Sequence, residues 1–255
     1  MKAGQRLWTR EELILAINLY CKLPFSKYHK GNPEVIALSK LINRTPSSVA
    51  LKLGNLASFD PSLKARGISG ASNASKLDKE VWNEFYNNWD EVALESEILL
   101  AQKMEQTELK KLDIDWTSKK GESRESVVHT RINQSFFRSA VLTSYNFQCC
   151  ITGLNQPDLL IAGHIKPWSV DNKNRLNPRN GLSLNGLHDK AFELGYITIT
   201  PNYRIKISPI LLKRQSEESV ETLFVKYDGK EIILPSRFLP DPEFLEYHNN
   251  ERFKP

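Results

Sequence analysis

The sequence predicts an α+β protein with a helical, helix-turn-helix-like N-terminal half and a C-terminal half that mixes strands and helices. Three observations support this class. Apolar residues recur at helical spacing through residues 1–98. A strand, a long polar loop, a second strand and a helix follow one another between residues 159 and 195. A polar stretch, residues 99–122, separates the halves like a linker. We therefore expect residues 1–98 and 123–255 to form separate domains.

Three helices are predicted at the start of the N-terminal half. Thr9 is placed to cap the first helix, with Glu12 three residues on, as in a capping box. Pro33 starts the second helix, where the missing N–H of proline costs little. Thr45 caps the third helix, and Pro46 takes its first position. Three short helices, the third beginning with small hydroxyl residues, are typical of a helix-turn-helix DNA-binding module.

The distribution of charge favours a polyanionic partner for the N-terminal half. The chain of 255 residues has a net charge of +5. Residues 1–79 contain 13 Lys and Arg against 5 Asp and Glu, whereas residues 80–98 contain six acidic residues and no basic one. Such segregation favours a surface that faces phosphates, and the basic loop around His29 could face DNA. The side chains expected to contact DNA in this half are Arg44, Ser47, Ser48 and Lys52.

Cysteine content and hydropathy exclude several classes of protein. Cys21, Cys149 and Cys150 are too few and too poorly spaced for a disulfide framework or a structural zinc site. We expect them to be reduced and packed, which suits the cytoplasm. No stretch approaches the 18 apolar residues that a membrane span needs, and the start lacks the apolar core of a signal peptide. The expected location is therefore the cytoplasm, without a membrane partner.

The C-terminal half carries the pattern with chemical content. His164 lies at the end of a predicted strand, residues 159–165, and a polar loop follows. Asn180 begins a second short strand, and Asn185 is placed to cap the helix after it. Residues 196–208 then predict a hairpin.

Two segments of this half carry its most specific pattern, LLIAGHIKPWS and NRLNPRNGLSLNGLHDKAFELGYITI. Taken together, they resemble the ββα-metal core of HNH nucleases, in the branch found among bacterial restriction-type endonucleases. The resemblance extends to the helix before them and to the C-terminal stretch, about half the chain. It implies an endonuclease that hydrolyses phosphodiester bonds of double-stranded DNA with Mg²⁺ or Mn²⁺, in a restriction or defence setting. The N-terminal half would then recognise the target DNA.

The resemblance also assigns catalytic roles. The general base maps to His164, whose imidazole can accept a proton from water near neutral pH. The asparagine that holds the loop of the base maps to Asn180. A divalent cation would stabilise charge on the scissile phosphate and the leaving oxygen. In the family a metal ligand often directly precedes the base, but that position here is Gly163, which has no side chain.

The metal ligands are therefore expected on the helix. Counting from Asn180, the family positions correspond to Asp189 and Glu193, which lie four residues apart and share a helix face. Their oxygen atoms suit Mg²⁺ or Mn²⁺. His188 is the alternative ligand, or a catalytic residue that contacts the scissile phosphate, although it shares its face with Phe192, which predicts a core position.

The loop between the two strands supplies further candidates. Lys166, Arg175 and Arg179 flank the site and could grip phosphates. Asp171 is a weaker metal-ligand candidate, and Trp168 is expected to pack under the loop.

Alternatives to an active nuclease remain open at this point. The missing side chain at Gly163 fits a decayed nuclease that acts only as a DNA-binding module. The N-terminal half could instead sense modified bases. Palindromic double-strand cutting would favour a homodimer by symmetry.

Overall fold

The computed structural model describes residues 6–65, Gly67, 74–104 and 124–255, of which residues 124–133 are described by their backbone alone. The chain divides into two compact units, Met1–Phe136 and Phe137–Pro255. The described part of the first unit is helical, and the second unit combines helices with two small sheets. The predicted α+β class is confirmed. Of the expected linker, residues 99–103 continue a helix, and residues 105–122 lie outside the described residues.

Seven α-helices are described before the first strand. They are α1 (Arg10–Lys22), α2 (Pro33–Leu41), α3 (Pro46–Ala57), α4 (Pro61–Ala65), α5 (Lys76–Asn87), α6 (Trp89–Lys103) and α7 (Arg124–Ser144), the last of which crosses the boundary between the units.

The predicted helix starts of the first unit are confirmed. The hydroxyl of Thr9 accepts a hydrogen bond from the backbone N–H of Glu12, whose carboxylate accepts one from Thr9, so the capping box is complete. Thr45 caps α3 through the N–H of Ser48, and α2 begins at Pro33. The helix-turn-helix assignment of α1, α2 and α3 stays a prediction.

Helix α1 forms the centre of the first unit. Its side chains are buried along most of its length, and it packs against α2, α3, α5 and α6. Arg10 pairs with Glu84 and Glu95 of the neighbouring helices, and Lys22 pairs with Glu97. The acidic stretch 80–98 therefore neutralises basic residues of α1 within the unit.

The second unit contains the predicted order of strand, strand and helix. Strand β1 (Leu160–His164) pairs antiparallel with β2 (Gly181–Asn185), so that Gly163 faces Leu182 and His164 faces Gly181 across the ladder. Helix α8 (Gly186–Glu193) follows β2 directly. Asn185 caps α8 by accepting a hydrogen bond from the N–H of His188, as the sequence predicted.

The rest of the second unit encloses this hairpin and helix. Strands β3 (Ile197–Ile199) and β4 (Ile205–Ile207) form the predicted hairpin. The remaining helices are α9 (Pro209–Leu212), α10 (Glu218–Leu223) and α11 (Pro242–Glu251). A methyl group on Gly181 would collide with Val141 and Phe137 of α7, so β2 lies directly against that helix.

All three cysteines are buried free thiols, as expected. None of the helices in the described part of the chain combines the length and the hydrophobicity needed to cross a lipid bilayer.

Candidate active site

The imidazole of His164 is held at the end of β1 by two contacts. Its ring stacks on Phe137 with centroids 3.9 Å apart and an interplanar angle of 8°. Its Nε2 lies 2.9 Å from the carbonyl oxygen of Arg175. Because a carbonyl only accepts hydrogen bonds, Nε2 carries the proton of the neutral ring and Nδ1 keeps a lone pair. Among the described residues, Nδ1 has no hydrogen-bond partner.

Burial keeps this ring in its neutral form. Desolvation lowers the pKa of His164 below its ordinary value of 6.5, and the hydrogen bond to Arg175 only partly opposes it. The ring is therefore uncharged at pH 7, with an unprotonated Nδ1 that can accept a proton.

Asn180 closes the loop that leaves β1. Its buried side chain accepts a hydrogen bond from the N–H of Lys166 at 2.8 Å. Its amide nitrogen donates to the carbonyls of Lys166 at 3.0 Å and Asn174 at 3.2 Å. One side chain thus joins both ends of the loop to the start of β2.

Several side chains of the loop contact one another and the imidazole. The guanidinium of Arg175 lies 5.5 Å above the ring of Trp168, whose centroid is 5.9 Å from that of His164. Trp168 therefore packs within the loop, as the sequence predicted. The carboxylate of Asp171 forms an ion pair with Lys166 at 3.3 Å and accepts hydrogen bonds from Lys173 and Asn174 of the same loop. Burial acts to raise the pKa of Asp171, but these contacts together outweigh it and lower the pKa below its ordinary value.

The three loop cations expected to grip phosphates all have partners inside the unit. Lys166 pairs with Asp171 and lies over Tyr247, Arg175 stacks on Trp168, and Arg179 pairs with Asp241 at 2.8 Å. All three are half-buried, so a phosphate would have to share or replace these partners.

The carboxylate of Asp189 lies against the residue that precedes His164. A methyl group placed on Gly163 would come closer than 3.0 Å to Oδ1 of Asp189. Neighbouring Cα atoms are about 3.8 Å apart, so the Asp189 carboxylate and the His164 side chain flank the same end of β1. Successive side chains of a strand point to opposite faces, and the two groups therefore reach that end from opposite faces of the two-stranded sheet.

Asp189 and Glu193 influence each other along one face of α8. Partial burial raises the pKa of Asp189, and the negative charge of Glu193 raises it further. Glu193 is exposed, and its ion pair with Lys190 at 2.8 Å lowers its own pKa. A cation placed between the two carboxylates would relieve their repulsion.

Within the part of the chain that the structure describes, no three His, Cys, Asp or Glu side chains converge as a complete metal cage. Two carboxylates nevertheless fit Mg²⁺, which usually keeps several waters and binds one or two protein carboxylates together with substrate phosphates. The donor set therefore suits an ion that the substrate helps to hold.

His188 lies in the core, which argues against both roles considered for it. Its Nε2 donates to the carbonyl of Leu223 at 2.7 Å, and its Nδ1 accepts from the amide of Asn185 at 2.8 Å. The rings of Phe224 and Tyr227 pack edge-on against it. Both nitrogens are thus occupied in a buried side chain, and the core position that its spacing from Phe192 indicated is the one observed.

Two of the expected DNA contacts in the first unit are also internal. Lys52 is buried, with its amine 2.8 Å from both carboxylate oxygens of Asp78. Arg44 pairs with Glu12 at 2.7 Å and stacks on Trp8. The sequence predicted that these two cations contact DNA, but each is held by an acidic partner within the unit, because a charge stays buried only when it is paired.

The two serines differ from these cations. Ser47 is exposed and Ser48 is half-buried at the start of α3, so Ser47 stays accessible to a partner.

Sequence reasoning missed two contributions to the His164 environment. Phe137 stacks on the imidazole from a position far away in the sequence, and the carbonyl of Arg175 has no sequence signature. The sequence does contain a signal for the close contact at Gly163, because a glycine inside a strand often marks a place where another group approaches the backbone.

Comparison with known proteins agrees with this arrangement. The family model described as HNH endonuclease matches residues 149–200, which include β1, β2, α8 and β3. No curated protein matches the chain. The stretch that holds His164, Asn180 and Asp189 is therefore an HNH endonuclease domain within the longer chain.

Proposed function

We propose that the chain is a metal-dependent endonuclease that hydrolyses phosphodiester bonds of double-stranded DNA, in a restriction or defence setting. One observation carries this proposal. A neutral imidazole with an available Nδ1 and a half-buried carboxylate flank the same end of β1, inside an HNH domain.

The proposed reaction uses His164 as the general base. Its Nδ1 accepts a proton from the water whose oxygen forms the new bond to phosphorus, and the bond from phosphorus to the 3′ oxygen breaks. Asn180 keeps the loop of Lys166 in place while this happens. Asp189 and Glu193 would hold a divalent ion, Mg²⁺ or Mn²⁺, which supplies Lewis acidity at the phosphate when bound.

A DNA-binding role for the first unit needs a different surface from Arg44 and Lys52. Lys27, Lys30 and Lys64 are exposed, and none of the three has an ion-pair partner among the described residues. We name these three lysines the basic end and propose that it contacts DNA phosphates, with Ser47 as a separate contact.

Two tyrosines connect the elements that carry the lysines of the basic end. The hydroxyl of Tyr28, in the loop of Lys27 and Lys30, donates to the carbonyl of Tyr20 at 2.9 Å. The hydroxyl of Tyr20 donates to Asp60 at 2.8 Å, and the carbonyl of Asp60 accepts from the N–H of Lys64. The loop and α4 therefore gather around the same part of α1.

Incubation of the purified chain with supercoiled plasmid in Mg²⁺ or Mn²⁺ tests the proposal. Nicked or linear product that disappears with a chelator is the expected result, and sequencing of the ends would give the cut geometry. Binding of DNA without cleavage in either metal would favour the alternative, a decayed nuclease that only binds. Identical cleavage of methylated and unmethylated plasmid would remove a role for the first unit in sensing methylated bases.

A further inference from the structure

We propose that Gly163 is a positioning residue, because its missing side chain leaves the space that the Asp189 carboxylate occupies at the end of β1 that also carries His164. This inference rests on the proposed nuclease function, in which Asp189 holds the divalent ion. It also accounts for the departure at the position before the base, where a family ligand is often found.

The backbone does not require glycine at this position. Gly163 lies inside β1, paired with Leu182, and is not among the glycines with a positive φ. Any residue can adopt its conformation, and glycine weakens a strand because it contributes no side chain to packing. The reason for glycine must therefore lie in the space above its Cα.

That space is filled by one group. A methyl group on Gly163 would approach Oδ1 of Asp189 closer than 3.0 Å, whereas the next atoms, Cγ of Asp189 and Cδ1 of Leu184, would be 3.6 Å away. Only the carboxylate obstructs the methyl group. The end of a short, half-buried side chain can give way, so alanine would displace the carboxylate from β1 without having to break the core.

The carboxylate in this space comes from the helix instead of the strand. Where a side chain on β1 would point, α8 supplies Asp189, one turn before Glu193 on the same face. Gly163 and Asp189 therefore act as a pair. The strand has no side chain at this position, and the carboxylate of Asp189 from α8 occupies the space.

Titration calorimetry of Mn²⁺ into the metal-free full chain tests the pair. We expect Gly163→Ala to weaken Mn²⁺ binding at least about tenfold, the lower end of the range for losing the support of a metal ligand. The matched control is Gly186→Ala, since a methyl group there would meet only Cδ1 of Ile161 at 3.9 Å. The control should bind Mn²⁺ like the unmodified chain. Equal affinity of Gly163→Ala and the unmodified chain would overturn the proposal.

A second measurement needs neither metal nor activity. Urea unfolding is compared for Gly163→Ala, Asp189→Ala and the double variant. We expect Gly163→Ala to lower the urea midpoint when Asp189 is present, and to leave it unchanged or raise it when Asp189 is alanine, because the obstructing carboxylate is then gone. The same shift in both backgrounds would refute the pairing. If the unmodified chain neither binds Mn²⁺ nor cuts DNA, the nuclease proposal fails, and the unfolding cycle still decides the role of Gly163.

Discussion

At the scale of single residues, the chemical state of His164 is set by neighbours distant in the sequence. Phe137 covers one face of the ring, and the Arg175 carbonyl binds Nε2. The first contact lowers the pKa by burial, and the second decides which nitrogen keeps its lone pair. A histidine in water would have neither constraint.

Replacing His164 by alanine should stop cleavage and spare DNA binding. General-base catalysis typically contributes about 10²- to 10⁴-fold to a rate, so the nicking rate of supercoiled plasmid in Mn²⁺ should fall by that factor. DNA affinity, measured by filter binding, should stay within about twofold because the imidazole is half-buried. A normal rate in this variant would show that another group is the base.

The acidic limb of the pH–rate profile should reflect the lowered pKa of His164. The base works only when neutral, so kcat/KM should fall as pH drops through the pKa. Burial holds this pKa below 6.5, and the midpoint of the fall in rate should therefore lie below pH 6.5. Steady-state cleavage across this range is the measurement. A midpoint above 6.5 would contradict a buried neutral base.

At the scale of structural elements, one buried amide controls the loop between β1 and β2. Asn180→Ala would remove three hydrogen bonds and leave the backbone groups of Lys166 without their partner. We expect a loss of about 3 kcal/mol in the free energy of unfolding, measured with urea, since buried unpaired groups cost about 1–3 kcal/mol each. Cleavage should fall as well, because the same loop carries the carbonyl that orients His164.

A second asparagine gives the control for this loss. Asn202 lies exposed in the turn between β3 and β4. Its replacement by alanine should change stability by less than about 0.5 kcal/mol. An Asn180→Ala variant as stable as this control would mean that the loop does not depend on the amide.

The basic end is the charged surface proposed to contact DNA in the first unit, because Lys52, the one cation of α3, is buried. The salt dependence of DNA binding tests this surface, because each phosphate contact contributes about 0.9 to the slope of log affinity against log salt. Replacing Lys27, Lys30 and Lys64 together by glutamine should lower that slope by up to about 3. Lys76→Gln, at an exposed lysine paired with Glu80, should not change it. An unchanged slope in the triple variant would exclude the basic end as a phosphate contact.

At the scale of the whole molecule, the C-terminal helix stabilises the second unit through one histidine. His248 of α11 binds Thr198 of β3 at 2.8 Å and the carbonyl of Phe192 in α8 at 3.1 Å, and its ring stacks on Phe192. It thereby joins the last helix to the element that carries Asp189 and Glu193. Burial lowers the pKa of His248 to about 4.

Acid should destabilise the second unit through His248. The folded state keeps this ring neutral down to about pH 4, whereas the unfolded chain protonates it near pH 6.5. Stability from this residue is therefore complete above pH 6.5 and is lost as pH falls towards 4, by up to roughly 3 kcal/mol. Urea unfolding at pH 7 and pH 5 measures the loss. His248→Gln should reduce the difference, and an equal acid loss in that variant would contradict the assignment.

Much of this architecture follows from the sequence because its signals are local. The capping box at Thr9, the proline at Pro33 and the cap at Asn185 concern groups within three or four residues of one another. The short apolar runs on either side of the polar loop, followed by the cap at Asn185, likewise predict the order strand, strand and helix. Short-range geometry of this kind is set by the backbone and is independent of distant contacts.

Only the tertiary structure decided how individual polar groups are used. The sequence could not distinguish Lys52 from a surface lysine, and it indicated a core position for His188 without its partners. Both find buried partners far along the chain, Asp78 and Leu223. Gly163 offered the opposite case, an apparent gap that a distant carboxylate fills. Sequence by itself determined the order of strand, strand and helix in the HNH domain. Long-range packing decided which charges remain available, because burial requires each polar group to find a partner.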